Sequence, residues 1–397
     1  MLSALAGIEL QLSPSPPASF GAGAVAKLPG SVRSTGSEAV VVVTDAALAA
    51  TPVVATVLAV LEAAGIPVTV FSGVHPNPTT GDLAAGADAV VAAGGGQPAG
   101  PRVALVAVGG GSPIDAAKGI ALAAVNPQRG RDLDYRLPFA RPALPIVAVP
   151  TTAGTGAETN AFGVVTDTDS QRKFYVGGAT SLPAAAILDP ELTVGLPPVA
   201  TAATGMDAMV HALESYMSSR ANPWSEGIAL QAIRMISTYL PRAFADGTDR
   251  EARSQMLMAA HLAGVAMAST GLGVCHAIGH SLGGRFGIAH GVALTLVLPQ
   301  VLQFNAPVCE ERLADVAFAL GVGDTARAVA DNAGAAVDAI AGLAGALGLT
   351  RRLPDFGISM ADFPQISADA LDDEVLLNTP RMPTAADIES ILTAAHG

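Results

Sequence analysis

The sequence predicts two successive domains of different class, an α/β domain with a parallel sheet followed by an all-α domain. Short β-branched runs alternate with helical stretches over the first half, the pattern of an open parallel sheet. From Pro197 onward strand signals nearly vanish and one helical stretch follows another. A chain of 397 residues also exceeds what one hydrophobic core organises well. The boundary falls between Asp189-Pro190 and Pro198, dividing the chain into 1–194 and 195–397.

The first strand covers 39–45, Ala-Val-Val-Val-Val-Thr-Asp, a buried parallel strand by composition. Residues 46–65 have helical periodicity and end at Gly65, and 67–71 form the next strand. His75-Pro-Asn77-Pro is a turn in which two prolines restrict the backbone around Asn77. A helix over 81–93 and strands over 103–108 and 144–149 follow. In the second half helix breaks are expected near Pro223, Pro241, Gly247, residues 271–273, Pro299, Pro307, Gly321 and Pro354. No internal repeat is visible. In such a chain ligands are expected in a cleft between the two halves.

Half the residues are apolar and 14% are charged, the composition of a globular chain with large buried faces. A net charge of −13 argues against a broad nucleic-acid footprint. Two cysteines, Cys275 and Cys309, cannot form a disulfide framework, so the chain reads as an inhabitant of a reducing compartment, the cytoplasm. The start, Met1 to Glu9, lacks a basic run and a long apolar stretch, so no signal peptide is expected. Residues 256–275 are apolar enough to suggest a membrane span. His261, Ser269, Thr270, Gly271 and Gly273 interrupt them, which favours a buried core helix and no membrane partner.

Five of the seven histidines, at 211, 261, 276, 280 and 290, lie between Gly205 and His290. Asp207 and His211 are four apart, so on a helix both project from one face and can grip one ion. His276 and His290 would complete a set of one carboxylate and three imidazoles, suited to Fe(II) or Zn(II) and free of thiolate. The competing reading is a set of satisfied polar groups inside a helical bundle. Cys275 beside His276 would point about 100° away on a helix, which makes it a small buried residue rather than a ligand.

Gly109-Gly110-Gly111-Ser112 between a strand and a helix is a phosphate cradle, or simply a well-capped helix start. Ser112 is expected as N-cap, Pro113 in the first turn and Asp115 as the return partner of a capping box. A second triplet, Gly94 to Gly96, continues into Gln-Pro-Ala-Gly-Pro and reads as a surface loop. No Gly-x-Gly-x-x-Gly follows the first strand. Asp45 at that strand's end can accept from a ribose 2′-hydroxyl and would repel a 2′-phosphate, favouring NAD over NADP. Thr151, Thr152 and Thr155 offer hydroxyls for lining a nucleotide, or alternatively for N-capping.

Taken in order, these motifs resemble the iron-containing (group III) alcohol dehydrogenase family over nearly the full length. The resemblance is carried by Val-Thr-Asp45, His-Pro-Asn77-Pro, Gly109-Gly-Gly-Ser-x-x-Asp115-x-x-Lys118, Pro150-Thr-Thr-Ala-Gly-Thr-Gly-Ala-Glu158 and Arg172-Lys173-Phe. Gly205-Met-Asp207-x3-His211, His276-x3-His280, His290-Gly and Asn378-Thr-Pro-Arg381 complete it. It implies an NAD(P)-binding α/β domain over 1–194 and a helical metal-binding, catalytic domain over 195–397, the architecture shared with dehydroquinate synthase. It implies Asp207, His211, His276 and His290 as ligands of Fe(II) or Zn(II). Asp45, Asn77, Gly110, Gly111, Ser112, Asp115, Thr151, Thr152, Thr155 and Lys173 are implied as the cofactor-binding positions. His280 matches a histidine near nicotinamide and substrate, and is expected either to relay a proton or to support the metal. The implied reaction is hydride transfer between a small alcohol or aldehyde and NAD, by a homodimer. Phe162 and residues near Met206 and Met267 are candidate apolar pocket positions. Ser19, where the family often has a basic residue before Phe-Gly-x-Gly, and the glycine-rich loop near 94–101 depart from the pattern. Alternatives on the same fold are a dehydroquinate-synthase-like lyase or a maleylacetate-reductase-like enzyme. Outside enzymes, a nucleotide-binding module with a structural metal remains.

Overall fold

A six-stranded parallel sheet in the order β1-β8-β5-β4-β2-β3 forms the centre of the first unit. Its strands are β1 (Ala18–Phe20), β2 (Ala39–Asp45), β3 (Val68–Val74), β4 (Val103–Gly109), β5 (Ile146–Pro150) and β8 (Ala185–Leu188). The computed structural model describes residues 15–96, 100, 102–170 and 172–397. The expectations for Met1 to Glu9 and for most of 97–101 lie outside those residues. By contacts the chain divides into an α/β unit, Ser15–Thr152 with Gly156–Gly195, and a helical unit that includes Ala153–Thr155 and Leu196–Gly397.

In the α/β unit, helices α1 (Leu28–Ser34), α2 (Ala46–Ala49), α3 (Pro52–Ala63), α4 (Thr80–Ala92) and α5 (Gly111–Ala123) flank the sheet. Alternation along β2 assigns its faces. Val40 and Val42 pack with Leu28, Val54 and Leu61, whereas Val41 and Val43 pack with Leu83, Ile114 and Ile120. Each fully buried aliphatic side chain of this kind contributes roughly 1.5–3 kcal/mol. The result is a sheet covered by helices on both faces, which is why its strands read as continuous apolar runs. β2 lies between β3 and β4, so the chain order reverses at β2 and β4, and their carboxyl ends flank a topological switch point.

Four strands went unrecognised in the sequence: β1, β8 and the antiparallel ribbon of β6 (Phe162–Thr166) and β7 (Lys173–Gly177). β1 and β8 are three and four residues long, and β8 is Ala-Ala-Ile-Leu. Their pairing partners, not their own propensities, make them strands. The helix expected over 46–65 is two pieces, α2 and α3, because Thr51 starts a new helix with Pro52 in its first turn. Gly95, expected in a surface loop, is buried, and a Cβ there would meet Val90 Cγ1 at 2.6 Å.

The helical unit contains α6 (Pro198–Met217), α7 (Pro223–Ala245), α8 (Arg250–Thr270), α9 (Val274–Phe286), α10 (His290–Ala319), α11 (Val329–Ala346), α12 (Phe363–Leu371) and α13 (Ala385–His396). The breaks expected at Pro241 and Pro299 do not occur, since α7 and α10 run through them. An interior proline costs about 3 kcal/mol, and here apolar burial against α6 and neighbouring helices outweighs it. The cost surfaces only after Pro307, where Cys309 takes a non-helical φ of −126°. By length and composition α10 could also cross a membrane, and half of its most apolar window is buried within the structure. The expected break at 271–273 is present and turns α9 by 106° from α8. Two glycines let α6 pack closely against its neighbours, Gly291 at the contact with α10 and Gly205 at the contact with α7. A Cβ at Gly291 would collide with the Ala203 carbonyl oxygen, and one at Gly205 with Leu240 of α7.

Candidate metal centre and cofactor cradle

Asp207 and His211 project from one face of α6, as their spacing predicts. His276 comes from the first turn of α9, and His290 is the first residue of α10. One ligand atom from each of the four lies within 4.8 Å of every other. Asp207 Oδ1 stands 3.4 Å from His211 Nε2, 3.8 Å from His276 Nε2 and 3.5 Å from His290 Nε2. A tetrahedral site with bonds of about 2.1 Å places its ligand atoms roughly 3.4 Å apart, so these separations fit a single small ion. Nitrogen and oxygen donors without sulfur suit Fe(II) or Zn(II). Asp207, His211 and His276 are buried. Cys275 is buried beside them but stays outside the set. Burial, with the Glu214 and Asp207 carboxylates nearby, holds its thiol well above the usual range, and Sγ lies against the Leu294 carbonyl at 3.5 Å.

In the α/β unit the glycine loop joins β4 to α5. Gly109 has a φ of +152°, a conformation that excludes a side chain, and its Cβ would also meet Pro113. A Cβ at Gly110 would meet Thr152 Cγ2 at 3.1 Å, and the Thr151 N–H donates to the Gly109 carbonyl at 2.9 Å. Gly110, Gly111 and Ser112 thus lie at the N-terminus of α5 beside Thr151 and Thr152, which suits an anion. Ala153–Thr155 groups by contacts with the helical unit.

The capping expected of Ser112 and Asp115 is not found. Gly110 is the N-cap, with no side-chain cap bond, and α5 begins two residues earlier than expected. Asp115 turns instead to the ribbon: Oδ2 accepts from the Val164 N–H at 3.1 Å and Oδ1 from Lys118 Nζ at 3.3 Å. Lys118 is fully buried and also donates to the Ala157 carbonyl, Asn160 Oδ1 and the Phe162 carbonyl, at 2.8, 3.0 and 2.5 Å. Burial pulls its ammonium below the usual range, against the attraction of Asp115. Asp45 ends β2 at the switch point, where Oδ1 accepts from the Leu48 N–H at 2.8 Å and caps α2. Asn77 holds a left-handed φ of 55° between its prolines, and its Oδ1 accepts from Lys173 Nζ at 3.2 Å.

Sequence comparisons agree with these motifs. The profile of the iron-containing alcohol dehydrogenase family matches residues 16–190, and that of the family's C-terminal domain matches 201–396. The chain belongs to the iron-containing alcohol dehydrogenase family. Within this family it is 37% identical to the 1,3-propanediol dehydrogenase of Klebsiella pneumoniae, over 95% of this chain and 96% of that one. It is 35% identical to the NAD-dependent methanol dehydrogenase of Bacillus methanolicus, over 96% and 98% of the two chains. Its fold superimposes on the crystal structure of a 1,3-propanediol oxidoreductase with a TM-score of 0.93, at 35% identity over 98% and 100% of the two chains. As a member of this alcohol dehydrogenase family the protein is an oxidoreductase.

Two carboxylates that the sequence reading passed over complete the dehydrogenase's helical site. Glu214, one further turn along α6, accepts from His276 Nδ1 at 2.6 Å and from the N–H groups of Gly273 and Cys275 at 2.9 and 2.7 Å. Burial pushes its carboxyl up to about 7, although those N–H groups favour the charged form. Its signal was available in the spacing of 207, 211 and 214 on one helical face. Asp373 meets His280 Nδ1 at 2.7 Å, and no local pattern links residues so far apart in sequence.

Proposed function

We propose that this enzyme is a metal-dependent, NAD-linked dehydrogenase of small alcohols or aldehydes, in which Asp207, His211, His276 and His290 hold Fe(II) or Zn(II). The observation that carries this reading is the convergence of those four ligand atoms within 4.8 Å. NAD would lie along the switch point of the α/β unit. There Gly110, Gly111 and Ser112 receive the pyrophosphate, Asp45 takes the ribose, and Asn77, Thr151, Thr152 and Lys173 line the remainder. Thr155 belongs to the same proposed cofactor set. Asp115, with both oxygens engaged, would hold the cradle helix against the ribbon.

When bound, the metal supplies a Lewis acid that eases loss of the alcohol's proton, and NAD supplies the hydride acceptor. The chain's part is placement and proton handling. Asp373 on Nδ1 of His280 fixes the tautomer that presents Nε2 as the acceptor for the alcohol proton. His280 stacks on His290 with ring centroids 5.4 Å apart, which puts it beside the ligand set. The lyase alternative requires cations for a phosphate and a carboxylate. Arg285, the basic residue nearest the ligands in sequence, is committed to Asp369.

The test is to strip the protein of metal, reload it with Fe(II) or Zn(II), and follow NADH formation with short alcohols and diols, with NADPH in parallel. Metal-dependent NADH formation is expected. Full loading without hydride transfer would move the assignment to the lyase class, and turnover indifferent to metal would remove the ligand assignment.

A further inference from the structure

One buried carboxylate, Glu214, receives three donors from the segment that begins α9. Oε2 takes the Gly273 N–H and His276 Nδ1, and Oε1 takes the Cys275 N–H. Its side chain is 5% exposed. The N-cap of α9 is Gly273, which has no side chain to satisfy the helix's first amides, so Glu214 performs that task from another helix. The elbow leaves a fixed space: a Cβ at Gly273 would sit 3.2 Å from Glu214 Oε1.

The same contact orients a ligand. With His276 Nδ1 donating to Glu214, the ring presents Nε2 toward Asp207 Oδ1, 3.8 Å away. Charge also matters in so dry a place. The four ligands carry one formal negative charge, from Asp207, and an ionised Glu214 would bring a second to balance a divalent ion. A buried charge lacking such balance is costly.

We infer that Glu214 is a positioning residue that links metal binding to closure of the α9 N-terminus. By holding His276 in its ligand orientation and the Gly273 and Cys275 amides at once, it makes the two events one equilibrium. This rests on the metal reading proposed above, and the experiment separates the two.

Glu214→Gln preserves shape and one acceptor oxygen while removing the charge. Zn(II) and Co(II) affinities are to be measured by competition with a chromophoric chelator, together with the visible spectrum of the Co(II) form. Weakening by about 10–100-fold is expected, the usual consequence of losing such a partner, with an altered Co(II) spectrum. In the unsubstituted protein, adding Zn(II) should slow hydrogen exchange at the Gly273 and Cys275 amides, a measurement that stands even if the variant fails to fold. Affinity within about twofold of the unsubstituted protein, or exchange indifferent to Zn(II), would overturn the role of Glu214. Absence of any Zn(II) or Co(II) binding by the unsubstituted protein would instead defeat the metal reading itself.

Discussion

His280 Nδ1 lies 2.7 Å from Asp373 Oδ2, and the same carboxylate group caps the following 3-10 turn through the Val375 N–H at 3.1 Å. A histidine held in this way keeps one tautomer and one ring orientation. His276 is held in the same way, its Nδ1 against Glu214, and its Nε2 faces Asp207 in the ligand cluster.

His280→Ala is expected to lower turnover by roughly 10²-fold while bound metal stays at the unsubstituted level. Asp373→Ala should lower turnover in the same direction by a smaller factor. In the His280→Ala background it should add little, because it acts through that ring. Steady-state kinetics with metal analysis of all three variants checks this, and loss of metal in His280→Ala would reassign the residue to the metal shell.

Asp45 caps α2, and in the proposed reading it would also repel a 2′-phosphate. Asp45→Ser keeps a capping oxygen for the Leu48 N–H while removing the charge. Utilisation of NADP relative to NAD should rise about tenfold or more with little change in melting temperature, whereas Asp45→Ala should also lose the cap, worth ~1 kcal/mol. Ratios of kcat/KM for the two cofactors and thermal melts decide the matter.

Lys118→Met removes the buried cation of the cradle helix and strands a carboxylate. Breaking a buried pair from one side costs about 3–5 kcal/mol. The double change Asp115→Asn with Lys118→Met should recover part of that loss. Denaturant unfolding of both variants gives the comparison, and equal stability would show that the pair is not interdependent.

The Asp134 carboxyl lies below its ordinary range, chiefly because the Arg136 side chain donates to it at 2.6 and 2.8 Å. A carboxylate with a depressed folded value contributes stability that is complete above its unfolded value near 3.8 and is lost as pH falls below that. The Asp134 backbone also forms a β-bridge with Val176 on β7, so loss of the side-chain pair in acid should loosen that edge of the ribbon. Asp134→Asn should flatten the part of the stability curve below about pH 4, read by urea titrations from pH 7 to 3. A curve of unchanged slope would remove the pair from the acid response.

Local signals account for much of the legible structure. The valine runs of β2 and β4, the glycine loop after β4 and the four-residue spacing of Asp207 and His211 depend on neighbours in sequence, so periodicity and residue type suffice to place them. The short strands β1 and β8 depend on the partners that pair with them. Pro299 stands inside a helix because burial outweighs its local cost, and Asp115 left its expected capping role because the Val164 N–H lies across from it and Lys118 one turn along its own helix. The site divides in the same way. By itself the sequence determined which residues could be ligands and which loop could take a phosphate, since those are properties of side chains and spacing. Only the tertiary structure decided that His276 and His290 reach Asp207, that Glu214 stands behind His276, and that Asp373 stands behind His280. Those pairings follow from the turn between α8 and α9 and from the close approach of α10 to α6, contacts between residues that no sequence periodicity connects.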